Sequence, residues 1–252
     1  MTPGRRLAGR HAAGRRRHGA VVAITALSAG AAVLLAGCAS DSGQATAEPA
    51  FAAPILNPSA SPSASTAPTR VVTLGDSLMS GFGLPPEQAW PILLGARAHV
   101  ALTNLACPGM GFVVQGDCGT TYAGFVPAVT ALQPELLVIE SSSNDFWEDE
   151  DEVRSDTANT VYELHAAVPD ARIVGLSTIW NDDPDVPADT KITSDALRDA
   201  VDAVGGTFVE VGQPLAGHPD WMQDDDVHPT ARGQRAIEQT VMSALQDADV
   251  LP

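Results

Sequence analysis

Three side chains of the sequence have the types needed for nucleophilic catalysis by a serine. Asp225 and His228 lie three positions apart, so the carboxylate can reach the imidazole ring within one turn. A carboxylate in that position holds the ring in one tautomer and stabilises its protonated form, which lets the ring take a proton from a serine hydroxyl. Ser77 comes just after a short apolar segment and is the candidate nucleophile. The chemistry that such a set performs is acyl transfer.

Each of these residues has competitors in the sequence. Ser77 taken alone has a simpler interpretation, because serine is common at the N-terminus of a helix that follows a strand. The three-residue spacing favours Asp225 and His228 over the alternatives, which are Asp224, Asp226, His99, His165 and His218. His99 lies inside a predicted strand and His165 inside a predicted helix, so both are interpreted as structural or exposed residues.

The elements that must position these residues alternate between strands and helices. Apolar, β-branched segments predict strands at 70–74, 99–103, 135–140, 171–176 and 207–211. Helical spacing of apolar residues predicts helices over 85–97 and near 121–132, 150–168, 190–204 and 230–247. This alternation indicates a parallel sheet covered on both faces. Functional groups of such sheets lie in loops at the carboxyl ends of the strands, so the segments of Ser77 and His228 are expected at one edge.

Four segments resemble the GDSL, or SGNH, hydrolases and occur in the order of that family. They are Gly75-Asp76-Ser77-Leu78, Asn104 to Gly109, Ser142-Ser143-Asn144-Asp145 and Asp225-Asp226-Val227-His228-Pro229. The third departs from the family, which has Gly where this chain has Ser142, and we expect an altered pocket rather than an inactive enzyme. The resemblance extends over essentially all of 70–252. It implies an α/β, three-layer, flavodoxin-like fold with a five-stranded parallel sheet.

The resemblance also implies a role for each matching residue. The residues that match the catalytic positions of the family are Ser77, Asp225 and His228. The expected oxyanion hole consists of the backbone N–H groups of Ser77 and Gly109 and the side-chain amide of Asn144, which are donors aimed at the negative charge that develops on the substrate. Gly109 has no side chain, so its backbone can approach the substrate closely. Asp145 is expected to support its loop.

The N-terminal region has the layout of an export signal. Six arginines and no lysine or acidic residue occur in 1–37, and an apolar segment runs from about Ala20 to Leu35. About 16 residues rich in Ala and Gly are short for a membrane span. Leu35-Ala36-Gly37-Cys38 resembles the lipobox of bacterial lipoproteins, which implies a signal peptide over 1–37 and lipidation, for example by palmitate, at Cys38. Ordinary secretion is the alternative.

A linker and a disulfide are the further expectations for an exported protein. Within 39–69, 24 of 31 residues are Ala, Ser, Pro, Thr or Gly, which predicts a disordered linker over 38–69 with a reach of about 30 Å. The hydrolase domain would then be 70–252, anchored by lipid to the outer face of the bacterial cell membrane. Export lets Cys107 and Cys118 pair as a disulfide, with two free thiols as the alternative.

Composition and charge exclude several other classes of function. The net charge is −17, and the chain from Cys38 onward holds 31 acidic and 8 basic residues, which argues against nucleic-acid binding. There is neither a phosphate-binding loop nor a dinucleotide fingerprint, so no cofactor is expected. No metal is expected either, because the acidic segment 148–152 is better interpreted as the start of a helix than as a calcium loop. The protein is expected to be a monomer.

The substrate is the least determined part of the interpretation. Aromatic residues that follow predicted strands are candidates to bind it or, equally, to pack in a lid, and these are Phe82, Phe146, Trp147 and Trp180. The stretch from Gly75 to Leu93 looks like the arylesterase, lysophospholipase and thioesterase branch of the family. This favours a serine esterase for small or medium acyl esters. The alternatives are a carbohydrate O-acetyl esterase acting on envelope or environmental glycans, and a non-catalytic lipoprotein that binds the envelope.

Overall fold

Five apolar segments form one parallel sheet in the computed structural model, which describes residues 67–252. The strands are β1 (Arg70–Leu74), β2 (Ala101–Asn104), β3 (Leu136–Glu140), β4 (Arg172–Leu176) and β5 (Thr207–Val209). Their order in the sheet is β2-β1-β3-β4-β5, and every neighbouring pair is parallel. The predicted five-stranded parallel sheet is therefore confirmed.

Six α-helices connect or follow these strands. They are α1 (Ser77–Ser80), α2 (Trp90–Ala98), α3 (Val126–Leu132), α4 (Glu150–Ala167), α5 (Asp189–Ala203) and α6 (Ala231–Asp247). Short 3-10 turns cover Pro86–Gln88, Tyr122–Phe125, Ser143–Asp145 and Pro219–Trp221. The acidic segment 148–152 starts a helix as predicted, because the Asp149 carboxylate caps α4 by accepting from the N–H groups of Asp151 and Glu152.

The sheet separates two apolar cores. Successive side chains of a strand point to opposite faces, so neighbouring residues of β1 enter different cores. Val71 packs in the core that includes Trp90 of α2 and Ile237 of α6. Val72 packs in the core that includes side chains of α3, α4 and α5, such as Leu164. Helices thus cover both faces of the sheet, and the carboxyl ends of the strands are left at one edge.

The boundaries of four elements differ by more than one residue from the sequence-based prediction. One of them is the helix predicted near 121–132, which is α-helical only from Val126, after the 3-10 turn Tyr122–Phe125. The second strand begins at Ala101 instead of 99, because His99 has φ 54° and closes α2 in the left-handed conformation. The helix predicted over 85–97 is α-helical only from Trp90, after a 3-10 turn that starts beside two prolines. The last strand ends at Val209. His99 is therefore a helix-capping residue and not part of a strand.

One buried amide connects the last helix to the first two. Gln234 of α6 is fully buried. Its Oε1 accepts from the backbone N–H of Trp90 at 2.8 Å, and its Nε2 donates to the backbone carbonyl of Leu78 at 2.9 Å. Both bonds join groups more than 140 positions apart along the chain. The helix α6 therefore supports the turn that carries Ser77.

The predicted export elements lie outside the described residues. These are the signal peptide over 1–37, the lipidated Cys38 and all but the last residues of the linker 38–69. Between residues 67 and 252, no helix has both the length and the apolar character that crossing a bilayer requires.

Candidate active site

An acid–imidazole pair lies in the loop before α6. Asp225 Oδ2 and His228 Nδ1 are 2.7 Å apart, and Asp225 Oδ1 accepts from the backbone N–H groups of Val227 and His228 at 3.1 and 2.9 Å. The backbone N–H and the ring of His228 lower the pKa of Asp225 to about 2. The carboxylate is therefore ionised at neutral pH. The carboxylate is hydrogen-bonded to Nδ1 of the imidazole, which leaves Nε2 available for proton transfer.

Ser77 is the first residue of α1 and lies three positions after the end of β1. The buried Asp76 caps this helix, because its Oδ1 accepts from the N–H of Leu78 at 2.8 Å. The carbonyl of Ser77 accepts from the N–H of Phe82 at 3.1 Å, and the ring of Phe82 lies 4.4 Å from that of His228. The helix of Ser77 and the loop of His228 are thus neighbours. Among the described residues, no hydrogen bond joins the Ser77 hydroxyl to the imidazole.

Three candidate oxyanion donors follow β1, β2 and β3. Within 67–252, the backbone N–H groups of Ser77 and Gly109 make no hydrogen bond to protein. Gly109 has φ 73°, in the left-handed region that a glycine adopts without strain. The Asn144 Nδ2 donates one hydrogen to the carbonyl of Met110 at 3.1 Å, which leaves its second hydrogen for another acceptor. This bond ties Asn144 to the residue next to Gly109.

Asp145 and a disulfide hold the loop that contains Gly109. The Asp145 carboxylate accepts from three consecutive backbone N–H groups, those of Phe112, Val113 and Val114, at 2.7 to 3.0 Å. Burial raises the pKa of Asp145, and these three donors oppose the increase. Cys107 and Cys118 form a disulfide, as the sequence predicted. Asp145 therefore supports the loop, and the disulfide closes it on the other side.

Ser142 connects the nucleophile segment to the Asn144 segment. Its hydroxyl donates to Asp76 Oδ2 at 2.6 Å and accepts from the backbone N–H of Asn144 at 3.0 Å. The Ser142 side chain is fully buried, and Asp76 is only 3% exposed. Burial raises the pKa of Asp76, while the bonds from Ser142 and Leu78 lower it. One hydroxyl thus links the residue that caps the Ser77 helix to a candidate oxyanion residue.

A further buried acid lies below this link. Glu140 ends β3 and is 1% exposed, and neither of its carboxylate oxygens has a partner among the described residues. Burial, and then the negative charge of Asp76, raise the pKa of Glu140 well above its usual range. Tyr122 is also buried, and its hydroxyl has no hydrogen-bond partner among residues 67–252. Burial raises the pKa of Tyr122. Folding therefore favours the protonated form of Glu140.

The four aromatic candidates differ in their contacts and in their exposure to solvent. Phe82 lies against His228 and is 42% exposed. Phe146 is buried and stacks on Trp180, with ring centroids 5.3 Å apart, and it meets Trp147 edge-on at 5.9 Å. Trp147 is exposed. Phe146 is thus placed as a packing residue between two other rings, whereas Phe82 and Trp147 have rings open to solvent.

The sequence of the chain matches one known protein family. The model of the GDSL-like lipase/acylhydrolase family matches residues 73–236, which is more than half of the chain. The chain belongs to this family. No curated protein sequence matches it significantly. Family membership supports hydrolysis of acyl esters as the reaction.

Solved structures of the family's fold resemble the chain at low sequence identity. The salicylyl-acyltransferase SsfX3 from a tetracycline biosynthetic pathway has a TM-score of 0.61 and 16% identity, over 75% of this chain and 57% of that one. The psychrotrophic esterase EstA from Pseudoalteromonas sp. has a TM-score of 0.57 and 20% identity, over 71% and 98%. A family two carbohydrate esterase from Clostridium thermocellum has 0.57 and 15%, over 74% and 66%. The chain spans little more than half of the acyltransferase, and these likenesses show the fold alone.

The departure from the family at Ser142 causes no backbone strain. Ser142 has φ −110° and ψ 141°, an extended conformation that any residue adopts. The backbone path there does not require glycine. The side chain that replaces glycine is instead used, because it donates to the buried Asp76 and accepts from Asn144.

Sequence reasoning missed two residues of the site's support. The sequence pattern assigns Glu140 only to the end of an apolar strand, although a charged residue in a strand buried on both faces is itself a signal of a special environment. Gln234 gave no signal, because it is one of several polar residues of an amphipathic helix and its partners lie far away in the sequence.

Proposed function

We propose that this protein is a serine ester hydrolase that works through an acyl-enzyme intermediate on Ser77. The observation that carries the proposal is the Asp225–His228 pair, which lies beside the helix of Ser77 in a chain of the GDSL-like family. A serine hydroxyl is a weak nucleophile until a base accepts its proton, and an imidazole held by an ionised carboxylate is such a base.

In the proposed reaction, Ser77 Oγ attacks the ester carbonyl while His228 Nε2 takes the hydroxyl proton. The carbonyl oxygen becomes an oxyanion that accepts from the N–H groups of Ser77 and Gly109 and from the Asn144 amide. Collapse of this intermediate breaks the C–O bond, and the protonated imidazole gives its proton to the departing alcohol. A water molecule, deprotonated by the same imidazole, then attacks the acyl-enzyme, and breaking of the acyl–Ser77 bond returns the proton to Ser77.

We propose a small or medium acyl ester as the substrate. Phe82 and Val227 support this choice, because both flank His228 with apolar side chains that are 42% and 50% exposed. They offer apolar contact to a short acyl group without enclosing a long one.

The proposed place of action is the outer face of a bacterial cell membrane, where the lipid on Cys38 would anchor a monomer. The lipobox-like sequence before Cys38 supports this proposal, and a disulfide between Cys107 and Cys118 is in keeping with an oxidising compartment. Bacteria expressing the full chain should incorporate labelled palmitate into it, and a Cys38→Ala variant should not be labelled. Equal labelling of the two would refute the anchor.

The hydrolytic proposal is tested with the purified protein and its Ser77→Ala variant. Nitrophenyl acetate, butyrate and octanoate should be hydrolysed by the protein alone, and a serine-reactive organophosphonate should label only the chain that has Ser77. A His228→Ala variant should also lose turnover. If the protein is folded but shows no Ser77-dependent turnover or labelling, it is a non-catalytic binding lipoprotein and the proposal fails.

A further inference from the structure

Trp147 is held in an unusual position at the surface. Its side chain is 80% exposed, and its backbone has φ 64°, in a region that bulky residues rarely adopt. The carboxylate of Asp189, the first residue of α5, accepts from the Trp147 N–H at 3.1 Å, and the indole ring meets Phe146 edge-on. Such a backbone costs about 1–3 kcal/mol and persists where the surroundings enforce it, which is typical of functional sites.

A polar groove lies next to Asp189, the residue that accepts from the Trp147 N–H, because its lining includes Ala188 and Thr190. The start of α5 and the loop before it line a space of about 420 Å³ at the carboxyl ends of β4 and β5. Gln213 lines the groove, and its Oε1 accepts from the backbone N–H of Trp180 at 2.6 Å. Gln213 therefore connects the groove to the residue whose ring stacks on Phe146. Trp147 is thus connected to the groove directly through Asp189 of α5, and indirectly through Phe146, which stacks on Trp180 of the loop after β4.

The charges that line the groove compensate each other. They are two cations and two anions, Lys191, Arg198, Asp195 and Glu210. Asp195 pairs with both cations, and Arg198 also pairs with Glu210. A groove of this kind is polar but without net charge, so it suits an uncharged ligand with many hydroxyl groups.

On the basis of the proposed ester hydrolysis, we propose that Trp147 and this groove form a subsite for a neutral saccharide that carries the ester. A sugar ring has an apolar C–H face that stacks on an indole and a hydroxyl edge that hydrogen-bonds to polar side chains. Trp147 supplies an open indole face, and the adjacent groove supplies the polar partners.

Other occupants fit these features less well. A long acyl chain would contact one exposed ring and a groove lined by ion pairs, whereas such a chain binds best in an enclosed apolar channel. An anionic lipid headgroup would meet a chain that has 31 acidic and 8 basic residues from Cys38 onward, and would be repelled. A saccharide avoids both penalties.

Binding to an inactive protein tests the subsite independently of catalysis. In a Ser77→Ala background, calorimetry would measure binding of three neutral hexasaccharides, built from glucose, xylose and N-acetylglucosamine. We expect at least one to bind, and Trp147→Gly to weaken that binding about tenfold, as is typical when an aromatic anchor is truncated. Glycine is chosen because it keeps the positive φ without strain. Tyr162→Ala is the matched control, because Tyr162 is an exposed aromatic residue of α4 outside the proposed subsite and its loss should leave binding unchanged.

A second measurement uses turnover. The ratio of kcat/KM for an acetylated xylo-oligosaccharide to kcat/KM for nitrophenyl acetate should fall about tenfold in Trp147→Gly, mainly through KM, and Trp147→Phe should restore much of it. Failure of the hydrolytic proposal would abolish turnover of all esters while leaving the binding test intact. The saccharide subsite is overturned if no hexasaccharide binds, if Trp147→Gly and Tyr162→Ala weaken binding equally, or if Trp147→Gly instead removes a preference for nitrophenyl octanoate over acetate.

Discussion

Replacing Ser142 by alanine removes one hydroxyl and leaves the backbone unchanged, because φ −110° and ψ 141° suit both residues. The hydroxyl donates to Asp76 at 2.6 Å and accepts from the N–H of Asn144 at 3.0 Å. Both partners lie in segments that carry the proposed chemistry, since Asp76 caps the helix of Ser77 and Asn144 is a proposed oxyanion donor. The substitution therefore tests whether this link positions the catalytic groups or merely stabilises the fold.

The expected size of the effect follows from burial. A hydrogen bond to a charged group contributes about 1.5–3 kcal/mol, and no solvent replaces it because Ser142 is fully buried. For a domain of this size this corresponds to a decrease in Tm of about 3–12 °C. The bond lowers the pKa of Asp76, so its loss raises that pKa further. The folded variant then keeps the Asp76 proton to a higher pH than the folded parent, while the two unfolded states titrate alike, so the destabilisation should grow as the pH rises from acid to neutral.

The kinetic effect should be limited to kcat. Removing an oxyanion donor costs about 10²–10³ in rate, and loosening one without removing it should cost less, about tenfold. Ser142→Ala is therefore expected to lower kcat for nitrophenyl acetate about tenfold with KM unchanged, because the contact acts in the transition state. Ser142→Gly introduces the residue that the family has at this position. This variant should show the same decrease in kcat as Ser142→Ala and a somewhat lower Tm than that variant, because glycine loses more backbone freedom on folding.

A double-mutant cycle with Asn144→Ala decides the mechanism. If Ser142 acts through Asn144, the loss in kcat from Ser142→Ala should nearly disappear when Asn144 is already alanine. Ser141→Ala is the control, because Ser141 is equally buried but bonds to Thr178, and it should lower Tm while leaving kcat unchanged. Additive losses in the cycle would refute positioning through Asn144, and a lower Tm with unchanged kcat in Ser142→Ala would refute any positioning role.

Three further measurements test the site and its surroundings. Because the pKa of Asp225 is about 2, its carboxylate is ionised throughout the neutral range, so Asp225→Asn, which removes that charge from beside the imidazole, should lower kcat for nitrophenyl acetate by about 10² or more at pH 8, and an unchanged kcat would contradict the role of Asp225. Burial raises the pKa of Glu140, so folding favours the protonated form, and the contribution of Glu140 to the stability of the fold declines as the pH rises above 4.5. Glu140→Gln should therefore raise Tm by a few degrees at pH 8 and leave Tm unchanged at pH 4. Equal increases in Tm at both pH values would contradict the assignment. Reducing the Cys107–Cys118 bond should destabilise the fold by about 2–4 kcal/mol, and an unchanged Tm under reductant would show that the bond contributes nothing.

The sheet was predictable because its signal is local. Each strand is a short apolar segment that ends at a glycine or a polar residue, and a parallel sheet buried on both faces makes those segments continuous. The start of the second strand was misplaced because the local pattern around His99 does not reveal a left-handed helix end. The neighbourhood of Asp225 and His228 was predictable for the same reason as the sheet, since their spacing is three residues.

The support of the site was less predictable because it depends on distant pairs. The bond between Ser142 and Asp76 joins positions 66 apart, and no pattern near either residue indicates it. The sequence marked Ser142 only as a departure from the family. Glu140 and Trp147 are similar cases, because burial of the first and exposure of the second follow from tertiary packing rather than from residue type.

The bonds of Gln234 have a consequence for the order in which the protein becomes active. A chain made or exported from its N-terminus presents α1 and α2 early, but the Leu78 carbonyl and the Trp90 amide gain their buried partner only when the 17-residue helix α6 docks. The loop that holds His228 also arrives just before this helix. A nascent chain therefore holds the proposed nucleophile, Ser77, long before it holds the proposed base, His228. If the proposed mechanism holds, activity can begin only after α6 has docked, so its appearance reports the completion of folding and not an earlier stage.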